Sequence, residues 1–153
     1  MTTPEPSSKV VSASREIDAP ADRIFELIAD PSQQPRWDGN GNLQEAAADQ
    51  RVRAVGDVFV MTLTKDGAQR QNHVVEFEEG RLIAWRPSPM DAPQPGHLWR
   101  WELEPLGERR TRVTHTYDWS QLTDESRMER ARNTTTAKLQ ASVDRLAETA
   151  ENA

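Results

Sequence analysis

HLWRWELE (His97–Glu104) and TRVTHTYDW (Thr111–Trp119) are the two segments that decide the fold of this 153-residue chain. In both, large side chains alternate with polar ones, which is the two-residue period of a β-strand. A turn over Leu106–Arg110 joins them into a hairpin whose register puts both sets of large side chains on one side of the sheet. The facing pairs are Leu103 with Val113, Trp101 with His115, and Trp99 with Tyr117. The sequence therefore predicts an aromatic panel, which consists of Trp99, Trp101, His115 and Tyr117.

The chain before this hairpin consists of short strands and turns, with helical signals only near its start. Asp18-Ala19-Pro20 opens a helix, because proline fits a first turn, and Asp30-Pro31 ends it, with a short second turn through Gln34. We expect strands over Lys9–Ile17, Leu43–Ala48, Asp57–Thr64, Gln71–Glu78 and Arg81–Arg86. The turn at Glu79-Gly80 has either two or three residues, and the two lengths place opposite faces of the strand Arg81–Arg86 on the inside. The sequence leaves both possibilities open.

A long helix is predicted over Thr123–Ala150. Its apolar seam follows steps of three and four residues and consists of Met128, Ala131, Thr135, Leu139, Val143, Leu146 and Ala150. Arg127, Arg130 and Arg132 are interleaved with acidic residues, a pattern typical of a solvated outer face. Antiparallel strands that follow one another, with helices grouped apart from them, define an α+β fold.

The composition excludes several classes of protein. Lys and Arg number 19 against 25 Asp and Glu, and the net charge of -6 disfavours broad nucleic-acid binding. The apolar runs are too short to span a membrane, the first residues do not read as a secretory signal, and no cysteine is present for a disulfide or a thiolate. Hydrophobic residues make up only 35%, yet there are five tryptophans, which argues for a folded protein. We expect a cytoplasmic protein with a disordered tail over residues 1–8 and one domain over residues 9–150.

The aromatic panel has two interpretations. Alternating aromatic side chains usually face a packed core. However, Trp, Tyr and His each carry a polar atom that needs a partner when buried. In addition, the middle of the predicted helix, Asn133-Thr134-Thr135-Thr136, is polar and β-branched. On the residues alone, a ligand pocket and a solid core are equally favoured.

Several segments along the chain carry a family resemblance through their order and spacing. They are IDAPADRIF (Ile17–Phe25), ADP (Ala29–Pro31), WD (Trp37–Asp38), VGDVF (Val55–Phe59), VVEF (Val74–Phe77), LIAWR (Leu82–Arg86), WRWELEP (Trp99–Pro105) and TRVTHTY (Thr111–Tyr117). With them the chain resembles the START/Bet v 1-like (SRPBCC) superfamily over Val10–Glu148. Within that superfamily it is most similar to the polyketide cyclase/dehydrase and lipid-transport branch.

The resemblance implies a helix-grip fold, in which a curved seven-stranded antiparallel sheet surrounds a long C-terminal helix, with two short helices after the first strand. Between the sheet and the helix it implies a cavity for a hydrophobic small molecule. We expect that cavity to be lined by Phe59, Met61, Trp85, Trp99, Trp101, His115 and Tyr117 from strands, by Thr135 and Leu139 from the helix, and by Trp37 and Met90 from loops at its mouth. His97 lies either at the mouth or on the surface.

Three functions are compatible with such a cavity. The first is binding or carriage of an aromatic, polyketide-like or lipid-like molecule. The second is a polyketide cyclase/aromatase in which His115, titrating near pH 6.5, and Tyr117 transfer protons. The third is a protein-interaction module of the same fold.

The expected partner is a hydrophobic small-molecule ligand, with no nucleic acid and no membrane insertion, and the expected state is a monomer or weak homodimer. We expect no metal, because the three histidines lack metal-ligand spacing. We expect no other cofactor either, because there is no phosphate-binding loop and no dinucleotide fingerprint.

Overall fold

A computed structural model describes residues 9–152 of the chain. The strands are β1 Val10–Ile17, β2 Leu43–Glu45, β3 Val58–Leu63, β4 Gln69–Glu78, β5 Leu82–Pro89, β6 Leu98–Gly107 and β7 Arg110–Asp118. They form one antiparallel sheet of seven strands in the spatial order β1-β7-β6-β5-β4-β3-β2. The tail predicted over residues 1–8 lies outside the described residues.

The helices are α1 Ala21–Ala29, α2 Gln34–Trp37, α3 Met128–Arg132 and α4 Thr136–Glu151, and single 3-10 turns precede α2 and α3. The helix α4 packs against β1, β7, α1 and α2. Its buried side includes Leu139, Val143 and Leu146, as the predicted seam requires. The α+β helix-grip fold is therefore confirmed. Within residues 9–152 no helix is long and apolar enough to cross a membrane.

The β6–β7 hairpin has the predicted register. Its facing pairs include Leu103 with Val113, Trp101 with His115, and Trp99 with Tyr117. The structure also decides which face of β5 points inward. Glu78 pairs with Leu82 across a three-residue turn, and Trp85 pairs with Trp99 of the aromatic panel. Trp85 therefore lies on the same side of the sheet as the panel.

Strand β5 separates from β6 halfway along its length. Leu82–Trp85 pairs with β6, whereas Arg86–Pro89 pairs only with β4. The guanidinium of Arg86 donates to the carbonyl oxygen of Gly96 at 2.8 Å, which holds the β5–β6 loop in place. Gly96 has φ +118°, and a Cβ there would lie 2.0 Å from the carbonyl oxygen of Gln121, so this close approach requires glycine.

The prediction of one long helix over Thr123–Ala150 is wrong. The chain forms a 3-10 turn and the short helix α3, and then breaks over residues 133–135 before α4 begins. Thr135 has extended backbone angles, and its side chain accepts a hydrogen bond from the Lys138 N–H, which makes it the N-cap of α4. Threonine and asparagine side chains compete with the helix for backbone hydrogen bonds, and this favours a cap over a helix interior.

The loop after α2 is fixed against α4. The backbone N–H of Gly39 donates to the Ser142 hydroxyl at 3.1 Å, and a Cβ on Gly39 would lie only 2.4 Å from the carbonyl carbon of Ala141. The Asp38 carboxylate accepts backbone hydrogen bonds from Asn40 at 3.1 Å and from Leu43 at 2.8 Å. These contacts hold α2 and its tryptophan at the end of the sheet.

Candidate functional site

A cavity of about 650 Å³ lies between the inner face of the sheet and the helices α2, α3 and α4. Its size falls within the range of roughly 300–1,000 Å³ that is usual for small-molecule sites. Some lining residues, such as Asn40, Glu129 and Asn133, are exposed, so the cavity opens at the surface. The aromatic panel therefore lines a cavity, whereas Leu103 and Val113 on the same face of the hairpin lie in the packed core.

The aromatic panel forms one wall of this cavity. The rings of Trp101 and His115 stack with centroids 3.7 Å apart and an interplanar angle of 12°. Trp99 stacks on the same histidine at 5.4 Å and contacts Tyr117 at 4.4 Å. Trp37 meets Trp101 edge-on at 5.1 Å. These contacts hold the rings in one arrangement, so the wall is preorganised.

His115 is a neutral hydrogen-bonding group in this arrangement. Its Nδ1 lies 3.1 Å from the carbonyl oxygen of Arg100, and because a carbonyl only accepts, Nδ1 carries the proton and Nε2 carries the lone pair. Burial lowers the pKa of His115 to about 3, while the hydrogen bond to Arg100 acts weakly in the opposite direction. The expected titration near pH 6.5 is wrong for the folded protein, because the imidazolium would be buried without a counter-charge.

Trp101 carries an unused donor. Its Nε1 is buried and has no hydrogen-bond partner among residues 9–152, whereas Nε1 of the neighbouring Trp37 donates to the carbonyl oxygen of Leu27 at 2.7 Å. An indole N–H can only donate, and a buried donor without a partner costs free energy. Trp101 lines the cavity, but its Nε1 has almost no accessible surface, so this donor is buried within the wall.

Tyr117 remains protonated at neutral pH. Burial raises the pKa of its phenol, against the opposing effects of Arg130, Arg127 and a hydrogen bond with Thr134. The Thr134 hydroxyl donates to the carbonyl oxygen of Arg130 at 3.0 Å, within the break between α3 and α4.

His97 lines the cavity. Of the two positions expected for it, the mouth of the cavity and the surface, it therefore takes the first. Its ring lies 6.1 Å from that of Tyr117, and its Nδ1 is buried and has no partner within the described part of the chain. Burial and then the positive charges of Arg127, Arg130, Arg70 and Arg86 lower the pKa of His97 to about 4. His97 is therefore neutral and lies in a positive field.

Three guanidinium groups, here called the arginine cluster, line the cavity: Arg70 of β4, Arg127 of the 3-10 turn and Arg130 of α3. Burial, and then the charges of the other two, lower the pKa of Arg70 below its usual range. Arg130 and Arg132 are exposed, as the predicted solvated face requires, and Arg127 is partly buried. Arg127 and Arg130 also border the open cavity, which the prediction did not include.

Comparison with known proteins identifies the family. Over residues 8–151 the sequence matches the family described as polyketide cyclase / dehydrase and lipid transport. The chain belongs to this family. A curated relative, the uncharacterized protein Rv0088 of Mycobacterium tuberculosis, is 32% identical over 111 residues, which is 71% of this chain and 47% of the relative. The chain thus spans about half the length of the curated relatives it matches.

Solved structures share the fold of this family member. A START superfamily protein from Mycobacterium smegmatis superposes with a TM-score of 0.65 at 16% identity, over 94% of this chain and 96% of that protein. DynU16, a protein in the dynemicin biosynthetic locus, has a TM-score of 0.64 at 22% identity, over 94% of this chain and 48% of that protein. At these identities the likeness concerns the fold alone.

The structure brings eight of the expected site residues to the cavity. They are Trp37, Met61, Trp85, Trp99, Trp101, His115, Tyr117 and Leu139. Trp37 is the last residue of α2 and only 4% exposed, so it lies deep in the fold and not in a loop at the mouth. The binding role of these eight residues stays a prediction.

Three expected residues lie outside the cavity lining. Phe59 is buried behind Trp85, with the two rings edge-to-face at 5.3 Å. Met90 is 40% exposed in the turn that follows β5. Thr135 is exposed because its side chain caps α4, and Thr134 takes the place at the cavity that the predicted seam assigned to Thr135.

Several polar residues of the lining were not predicted. The alternation of β4 contained a signal for two of them, because Arg70 and Asn72 share a face with the buried Val74. Arg127 and Arg130 are three residues apart, which a helix would put on one side, but only the position of α3 determines that this side faces the cavity.

Proposed function

We propose that this protein binds an apolar, ring-bearing small molecule in the cavity. The observation that carries the proposal is the wall of stacked aromatic rings that borders about 650 Å³ of space. Rings packed only as core would fill this space, because protein interiors are close-packed. The family description, which names polyketide cyclases and lipid transport, agrees with an apolar guest of this kind.

Binding would come mainly from the removal of apolar surface from water. A guest that buries roughly 200 Å² of apolar surface against the panel gains about 5 kcal/mol. Trp99 and Tyr117 offer ring faces, and Nε2 of His115 accepts from a donor on the guest. The polar groups thereby orient a guest whose affinity is hydrophobic.

The cyclase alternative receives less support from the same site. A histidine with a pKa of about 3 binds a proton poorly at neutral pH, so His115 is a weak general base there. It is also stacked between two tryptophan rings, which suits an acceptor of fixed orientation. We therefore propose a binding or carrier protein in which His115 and Tyr117 position the guest.

Titration with N-phenyl-1-naphthylamine, a neutral fluorescent probe with fused rings, tests the proposal. The wild-type protein should bind the probe at one site, and the probe should quench the tryptophan fluorescence of the protein, because four tryptophans line the cavity: Trp37, Trp85, Trp99 and Trp101. Thr134→Trp puts a large ring into the lining and should weaken binding by at least about tenfold. Thr136→Trp is the matched control, since Thr136 is exposed and lies outside the lining.

A folded wild-type protein that binds no probe would overturn the proposal, and so would equal binding by both variants. Mass spectrometry of the gently purified protein gives an independent readout, since a tightly held guest should appear at one copy per chain. If Thr134→Trp, which fills the cavity, still binds a protein partner in pull-down and no small molecule is found, the interaction-module alternative replaces the proposal.

A further inference from the structure

We propose that the guest carries an anionic group, a carboxylate or comparable oxyanion, which the arginine cluster binds while the apolar part of the guest lies on the aromatic panel. This inference rests on the proposed function and narrows its ligand class. The observation behind it is the charge of the cavity, which differs from that of the chain as a whole. The protein has a net charge of -6, yet its cavity is lined by more cations than anions.

The carboxylates of the lining do not neutralise these cations. Besides the arginine cluster, Lys138 lines the cavity, and the acidic residues there are Asp38 and Glu129. The carboxylate of Asp38 is already used, since both of its oxygens accept backbone hydrogen bonds from the loop that it organises. Glu129 is exposed and forms no ion pair with a residue of the described chain.

The arginine cluster itself is short of partners. Within residues 9–152, neither Arg70 nor Arg130 forms an ion pair, and the Arg70 guanidinium donates only to the backbone oxygen of Gln69, at 3.1 Å. Arg127 pairs through Nε with Asp124 at 3.2 Å, which leaves its terminal nitrogens available. Like charges gathered without a counter-ion repel one another, and an anion between them would relieve that repulsion.

His97 marks this end of the cavity as positive. It lines the cavity, and after burial the charges of Arg127, Arg130, Arg70 and Arg86 lower its pKa to about 4. A guest with its acidic group at the arginine cluster and its apolar part on the aromatic panel would compensate the cations while its rings are buried.

A matched pair of probes tests the inference. N-phenyl-1-naphthylamine is neutral, and 8-anilino-1-naphthalenesulfonate has the same rings with a sulfonate added. The wild-type protein should bind the sulfonate more tightly, by about tenfold at low salt. Added salt should weaken binding of the sulfonate and leave binding of the neutral probe unchanged, because only the first depends on charge.

Arg70→Gln and Arg130→Gln should each weaken binding of the sulfonate by about fivefold to tenfold and change binding of the neutral probe by less than about twofold. Arg132→Gln is the control, because it removes the same charge from the same helix outside the lining. Circular dichroism and the melting temperature check that each variant is folded.

The outcomes separate this inference from the proposed function. If the neutral probe binds and the sulfonate binds no better, the inference fails and the proposed function stands. Loss of sulfonate binding that is equal in Arg132→Gln and Arg130→Gln also overturns it, since the effect would then be one of net charge. If neither probe binds, both proposals fail.

Discussion

At the scale of single residues, His115 loses the acid–base character that makes histidine useful in catalysis. It is 5% exposed, stacked between two indoles, and hydrogen-bonded through Nδ1 to a carbonyl oxygen. Each of these contacts is satisfied by the neutral ring, and none compensates a positive charge. The residue that looks most catalytic in the sequence is therefore an uncharged part of the cavity wall.

His115→Phe tests this description through the pH dependence of stability. The pKa of His115 is about 3 in the folded protein and near its ordinary value of 6.5 in the unfolded chain, so between these values only the unfolded chain binds the proton. The free energy of unfolding of the wild type should fall as the pH drops below about 6.5, by up to about 1.4 kcal/mol per pH unit from this group.

The phenylalanine variant retains a stacked ring and cannot bind the proton. Between about pH 5.5 and pH 4.5, its free energy of unfolding should therefore fall less steeply with decreasing pH than that of the wild type, by about 1.4 kcal/mol per pH unit. Urea denaturation at several pH values measures both slopes. His97 titrates in the same range but is present in both proteins, so the difference isolates His115. Parallel slopes would mean that His115 is not buried as a neutral group.

At the scale of elements, the cavity depends on how the loop after α2 sits on α4. Gly39 and Ser142 connect the two elements directly, and Asn40 adds a hydrogen bond from its side chain to the carbonyl oxygen of Lys138 at 3.0 Å. Because Trp37 immediately precedes this loop and contacts Trp101, the loop also sets the position of the deep end of the cavity.

Gly39→Ala should therefore destabilise the protein. The added methyl group would lie 2.4 Å from the backbone of Ala141, so the loop or α4 must move, at a cost of about 1–3 kcal/mol. Gly107→Ala is the control, because a Cβ there meets nothing within 4 Å, and it should change stability by less than about 0.5 kcal/mol. Thermal unfolding of the two variants measures the difference, and equal melting temperatures would contradict the close contact.

At the scale of the whole molecule, occupancy of the cavity should control stability. A ligand that binds only the folded state raises the free energy of unfolding by about 2.7 kcal/mol at a free concentration of one hundred times its Kd. N-phenyl-1-naphthylamine should accordingly raise the melting temperature of the wild type by a few degrees, and it should raise that of Thr134→Trp by about half as much or less. A shift of the same size in both proteins would place the binding site outside the cavity.

The parts of this molecule that the sequence predicts are those governed by short-range periodicity. The pairing of Trp101 with His115 follows from alternation and one short turn, and so does the common face of the aromatic panel. The break at Thr135 and the place of Arg130 beside the cavity were missed, because they depend on where a short helix packs, which local spacing does not contain. The pKa of His115 was missed for the same reason, since burial is a property of the folded molecule.

The separation of β5 from β6 has a further consequence for association between molecules. The stretch Arg86–Pro89 leaves one neighbour and keeps the other, so one of its edges has no strand partner among the described residues. Pro87 and Pro89 carry no backbone N–H, so half of the residues in this stretch cannot donate to a foreign strand. The same prolines that the sheet tolerates at this position thus make its opened edge a poor template for aggregation.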